Sequence, residues 1–192
     1  MPLDLAFSTW FFYLFRKGQQ VLAATIGLKS MPRFPYLNQQ STGAWIGLFF
    51  VSIWLGRSHF KEVSSKIVFN NREKNNSIEL MQYRLAFSGF LFAFGFIVIF
   101  CYQAGMSFWI TLPFFLIFFV LSTAITRVRA ELGPPTHEIV GMNPSNMLVD
   151  IIGTRKIGNN NLSIFPLFWF FAGRGYRGLL LPLHLESFKM AG

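Results

Sequence analysis

Two pairs of cations, the first followed by two glutamines, interrupt apolar stretches near the ends of the chain. Arg16, Lys17, Gly18, Gln19 and Gln20 separate the apolar run 5–15 from a second at 21–28. Near the other end, Gly173, Arg174, Gly175, Tyr176, Arg177 and Gly178 separate 162–172 from 179–185. Guanidinium and ammonium groups give charge-assisted hydrogen bonds to carboxylates and phosphates, and glutamine amides add neutral donors and acceptors. Cations inside a bilayer are costly unless they face a cavity or a partner. The expected chemistry is therefore recognition of an anionic or peptide-like solute by Arg16, Lys17, Gln19, Gln20, Arg174 and Arg177. The competing reading makes each half an interfacial or re-entrant helix whose cations meet lipid headgroups.

A second polar cluster comprises Arg127, Arg129, Glu131, His137 and Glu138, with Gly133, Pro134 and Pro135 among them. A helix passing through the arginines should stop at Gly133, since glycine suits the left-handed closing position and Pro134 disfavours helix before it. Glu131 then sits in the last turn, where a carboxylate opposes the macrodipole by about 0.3–1 kcal/mol. Arg127 lies four residues earlier on the same face and can pair with it. The pair is either a solvated interfacial salt bridge or a brace for the following loop. As a brace, it would give Arg127, Glu131, His137 and Glu138 a structural or gating role at the mouth of a cavity. His137 with Glu138 falls short of a normal metal-ligand count, and so does His184 with Glu186. No nucleophile elbow, P-loop or dinucleotide fingerprint is present, so no catalytic residue, metal or cofactor is expected.

The elements that would position these groups are set by lipid. Of 192 residues, 53% are hydrophobic and only 13% charged, with 25 Phe and a mean hydropathy of +0.44. A water-facing globule usually carries about 25% charge. The net charge of +9 would suggest nucleic acid in a soluble protein, but the cations are confined to gaps between apolar runs, as headgroups and the positive-inside bias require. Nucleic acid is not an expected partner; the bilayer is.

Residues 85–105 and 106–126 carry no formal charge. Each run of about 21 residues reaches about 31 Å as a helix, the thickness of a hydrocarbon core. They form a hairpin turning at Ala104, Gly105 and Met106, with Cys101 a small buried hydrophobe and Pro113 bending the second helix. Gly89, Ala93 and Gly95 would let another helix approach. A third span is expected over 41–60, with Arg57 snorkelling. Residues 57–84 read as a polar connector, Asn143 as the cap of a short helix from Pro144, and Gly158 to Asn161 as a turn. The fold class is an all-α integral membrane helical bundle, a single unit over 1–192. It has three full spans (41–60, 85–105, 106–126) and two interrupted or re-entrant segments (5–28, 162–185).

Several short motifs resemble one family: Pro2, Leu3, Asp4 and Leu5 with Phe11 to Leu14; Phe34, Pro35, Tyr36 and Leu37; Arg127 to Glu131 with Gly133 to His137; and Tyr176 and Arg177 with Leu185 to Lys189. The chain resembles a family of large, uncharacterised bacterial multi-pass membrane proteins with two adjoining domains of unknown function. Their layout is loosely similar to oligopeptide-transporter-like carriers. The resemblance implies an internal or C-terminal piece of a longer parent in the bacterial inner membrane, packed against that parent's remaining helices or other subunits. It supplies no catalytic residues. The leading function is a transport or solute-permeation module. The alternatives are a non-transporting scaffold and a membrane-embedded enzyme using Glu131, His137 or Glu138.

The stretches 57–84 and 127–156 carry six and four cations, and the turn near Gly105 carries none. Both stretches are therefore expected inside and the turn outside. In a Cys101-free background, a cysteine at Ser77 should label from the cytoplasmic face; exclusive external labelling would reverse the orientation.

Overall fold

The computed structural model describes residues 3–27, 34–69, 77–132, 143–169 and 179–191. Among them every regular element is helical: α1 (Leu3–Thr25), α2 (Leu37–Phe69), α3 (Ser77–Gln103), α4 (Phe108–Leu132), α5 (Pro144–Ile152), α6 (Thr154–Ile157), α7 (Asn159–Ile164), a 3₁₀ turn (Phe165–Phe168) and α8 (Leu180–Ala191). The chain divides into two compact units, Met1–Gly43 and Ala44–Gly192.

In the first unit α1 is one continuous helix, which corrects the expected interruption of 5–28. Arg, Lys and Gln are good helix formers, and a single interior glycine such as Gly18 costs only about 1 kcal/mol. The cations interrupt the hydropathy and leave the backbone intact. Lys17 lies over the Tyr13 ring one turn earlier, 5.7 Å from its centroid.

The second unit is organised by the α3–α4 hairpin. Gly105, at φ 97°, closes α3 in the left-handed region. Its N–H donates to the Tyr102 carbonyl and that of Met106 to the Cys101 carbonyl, the paired pattern of a Schellman motif. Rings then pair the two helices antiparallel: Phe90 with Phe119 at 5.8 Å and Phe94 with Phe115 at 6.4 Å between centroids. Cys101 is fully buried in the same core as Met106 and Phe114.

Among the described residues two helices are long and apolar enough to cross a membrane, over Arg84–Gln103 and Phe108–Glu131. Three full spans are not shown. The stretch 41–60 lies within α2, which has the length but not the apolarity. Gln39 to Thr42 precede its apolar centre, and Arg57, His59, Lys61 and Glu62 follow it. Much of the expected polar connector is helical, as the end of α2 and the start of α3. On α2, Trp45 and Ile46 pack against the core of Leu121, Ile125, Met147 and Leu179, and the Ser52 carbonyl accepts from Arg127.

The chain from α5 onward is where helix is broken. Asn143 caps α5, its Oδ1 accepting from the Asn146 N–H at 2.7 Å, with Pro144 in the first turn. Gly153 (φ 85°, ψ 145°) and Gly158 (φ 81°, ψ 155°) then divide α5, α6 and α7. The expected turn over Gly158 to Asn161 is thus only the break at Gly158; Asn159 already begins α7. Met147 shares a core with Leu121 and Ile125, while Asn161 bonds to Ser107 at the other end of α4. The broken stretch therefore travels along α4 toward the hairpin turn. It comes back with Phe165 and Phe168, whose rings lie 5.7 and 5.3 Å from Phe114. Leu179 rejoins the Leu121 core, and α8 packs on α4. Of the expected interruption at 162–185, residues 170–178 lie outside the described residues; the breaks seen fall earlier, at Gly153 and Gly158.

Among the described residues, a Cβ at Gly153 or Gly158 would meet no atom within 4 Å. Alanine there should act through backbone strain alone, lowering stability by about 1–3 kcal/mol per site. Denaturant titration of the detergent-solubilised protein reads this; unchanged stability would mean that the positive φ values are not required.

Candidate functional site

In the first unit, Gln19 faces the start of α2 across a cavity of about 410 Å³. Leu22 and Ala23 of α1 and Ile26 just beyond its end line one side, and Phe34, Pro35, Tyr36 and Gln40 the other. The Gln40 Nε2 donates to the Pro35 carbonyl at 2.8 Å, and the Gln19 Nε2 stands 3.5 Å from the Gln40 Oε1. Gln19 is half-buried with its Oε1 fully buried, whereas Arg16 and Lys17 are exposed and do not line the cavity. Gln20 is half-buried and also lies outside the lining. Of this candidate set the structure brings only Gln19 to a cavity. Gln40 was not anticipated; its signal was its closeness to the Phe34, Pro35, Tyr36 motif. Arg174 and Arg177 lie outside the described residues.

In the second unit, Arg127 and Glu131 pair on α4: Arg127 Nη2 is 2.7 Å and Nε 2.8 Å from Glu131 Oε1. The Arg127 side chain is 32% exposed and that of Glu131 60%. Arg127 Nη1 also reaches the Ser52 carbonyl of α2 at 3.4 Å. The guanidinium thus spans two helices while the carboxylate faces outward. His137 and Glu138, with the loop that the pair was expected to brace, lie outside the described residues. Among the described residues no three His, Cys, Asp or Glu side chains cluster as metal ligands would.

The polar residue that sequence reasoning missed is Asn161. Its Oδ1 accepts from the Ser107 N–H at 2.7 Å; its Nδ2 donates to the Ile157 carbonyl at 2.6 Å and to Ser107 Oγ at 3.3 Å. Ser107 precedes α4, and its carbonyl accepts from Ile110 and Thr111. Asn161 therefore satisfies the entry to one helix and a carbonyl of the broken stretch with one buried amide. Arg155 and Lys156 adjoin Ile157 and so stand toward the hairpin-turn end, away from Arg127. The four cations of 127–156 are split between the ends of the bundle, which weakens the charge bias counted from sequence.

A family model matches residues 1–192. The chain belongs to this family of unknown function, DUF6785. Membership carries no assigned activity. No curated protein and no solved structure matches the chain.

The exposure of Glu131 makes its pair with Arg127 a surface pair, worth at most about 1 kcal/mol. A double-mutant cycle with Arg127→Gln and Glu131→Gln should give coupling below that value. Coupling clearly above it would mean that the pair is buried by chain outside the described residues.

Proposed function

We propose that this chain is a membrane-embedded module for transport or permeation of an anionic or peptide-like solute, working in the bacterial inner membrane with other helices of a longer parent or of other subunits. The carrying observation is the broken stretch α5–α6–α7, which lies against α4 along the part apolar enough to cross a membrane. Irregular backbone at membrane depth is tolerated where protein or a watery cavity surrounds it, and discontinuous helices form the solute sites of many carriers. Exposure supports lipid as the solvent. Only 6% of the Arg84–Gln103 window is buried, whereas the core helix of a soluble protein would be mostly buried. Phe92, Phe96 and Trp109 are among the large side chains left outward.

A scaffold is the second reading, favoured by that same bare helix. Among the described residues a Cβ at Gly89 or Gly95 would meet nothing within 4 Å, and such glycines permit the close approach of another helix. Flux distinguishes the two. The full-length parent in proteoliposomes should take up labelled trialanine or succinate, and Gly153→Ala with Gly158→Ala should abolish uptake without loss of assembly. Neutral substitution of Arg16 and Arg174 should also abolish it if those cations face the path. Absence of uptake across a panel of short peptides and dicarboxylates would leave the scaffold reading standing.

A further inference from the structure

In the second unit a groove of about 640 Å³ lies where α2, α3 and α4 meet, its walls including Phe49, Phe94, Leu112, Leu116, Val120 and Thr123. Leu112 to Thr123 covers about 16 Å along α4 at 1.5 Å per residue, within the length apolar enough to cross a membrane. Leu116, and Phe90 beside Phe94, are exposed, so the groove is open at the surface. The Thr123 hydroxyl donates to the Phe119 carbonyl at 2.7 Å, which meets its hydrogen-bonding need within the helix. These walls suit a long apolar chain.

What stands at one end of the groove says which chain. Leu116, Val120, Thr123 and Arg127 recur at helical spacing and form one stripe on α4. Arg127 also bonds to the Ser52 carbonyl, about one turn beyond Phe49 on α2, so both helices put the guanidinium at that end. Glu131 follows one turn further on, about 6 Å in axial rise. Outward along α4 the order is thus apolar groove, guanidinium, carboxylate. Both charged groups are accessible, Arg127 partly and Glu131 largely exposed. A guanidinium has five N–H donors; Glu131 Oε1 and the Ser52 carbonyl accept from three groups of Arg127, Nε, Nη2 and Nη1, and the second N–H on each Nη can serve a phosphate. A lipid with an ethanolamine head carries the matching sequence in opposite sign: acyl chain, phosphate, ammonium. A phosphoglycerol head meets the guanidinium equally but sets no cation against Glu131. We propose that this groove binds an acyl chain of a phosphatidylethanolamine-type lipid, its phosphate at Arg127 and its ammonium at Glu131. The inference rests on the membrane-embedded part of the proposed function and not on transport.

Native mass spectrometry of the full chain in detergent, titrated with palmitoyl-oleoyl phosphatidylethanolamine or phosphatidylglycerol, reads the first lipid bound. The ethanolamine lipid should bind about fivefold more tightly, the upper end for one exposed ion pair. The net charge of +9 pulls the other way, toward the anionic lipid, so overall charge does not produce this preference. Glu131→Gln should erase or reverse it. Leu116→Trp, which fills the groove and keeps both charged groups, should weaken the first ethanolamine lipid by at least about fivefold. Equal or tighter binding of the glycerol lipid by the unmodified chain would overturn the proposal and mark ordinary annular contact. No binding of either lipid would overturn it too, as would a preference unchanged in Glu131→Gln or an affinity unchanged in Leu116→Trp. If Leu116→Trp does not fold, the two lipids on the unmodified chain and on Glu131→Gln decide. Retention in membranes through an alkaline carbonate wash tests the membrane reading separately, so its failure is not confused with loss of lipid selectivity.

Discussion

Backbone N–H and C=O groups held away from water must find partners inside the chain. In a sequence with this little charge, that requirement shapes nearly every element. It makes helix the default among the described residues, and it makes each departure from helix need a specific remedy. At the hairpin turn the remedy is Gly105, whose positive φ lets two amides bond back to the last turn of α3. At the start of α5 it is the Asn143 side chain. At the start of α4 it is Asn161, reaching across from the broken stretch. Hydroxyls elsewhere bond within their own helices: Thr123 to the Phe119 carbonyl and Thr126 to that of Ser122, both at 2.7 Å.

What was legible in the sequence follows from that requirement. The helical hairpin was plain because two uncharged runs of membrane length adjoin a lone glycine, and the α5 cap because Asn143 precedes Pro144. α1 is continuous where the sequence suggests a break, because its cations interrupt the hydropathy and not the backbone. Hydropathy reports the solvent, whereas Arg, Lys and Gln propagate helix readily whatever the solvent beside them. The break at Gly158 is foreshadowed by the expected turn from Gly158 to Asn161, whereas the one at Gly153 is not, because a positive φ leaves no mark in composition. Asn161 was equally opaque, since its partner Ser107 is 54 residues away and no local pattern announces a contact of that range.

The candidate sites were read less fully than the fold. Gln19 was singled out for its neighbours' charge, yet it reaches the cavity through its position one turn before Leu22 and Ala23, while Arg16 and Lys17 project outward. The pairing of Arg127 with Glu131 followed from helical spacing alone. The link from Arg127 to the Ser52 carbonyl depends on how α2 lies beside α4, which spacing within one helix cannot give.

The phenylalanines of the second unit have a mechanical consequence. Phe90, Phe94, Phe115 and Phe119 interlock across the hairpin, and Phe114 meets Phe165 and Phe168. Sliding α3 past α4 by a turn would part these rings together, and their stiff side chains cannot stretch to follow. The hairpin is therefore a strut. The breaks at Gly153 and Gly158, both at positive φ, lie beside it. The short rod between them, α6, carries Arg155 and Lys156. Ile157, buried in the core of that strut, and Asn161, bonded to its carbonyl, fasten the rod in turn, so its two positive charges are held at the end of the hairpin.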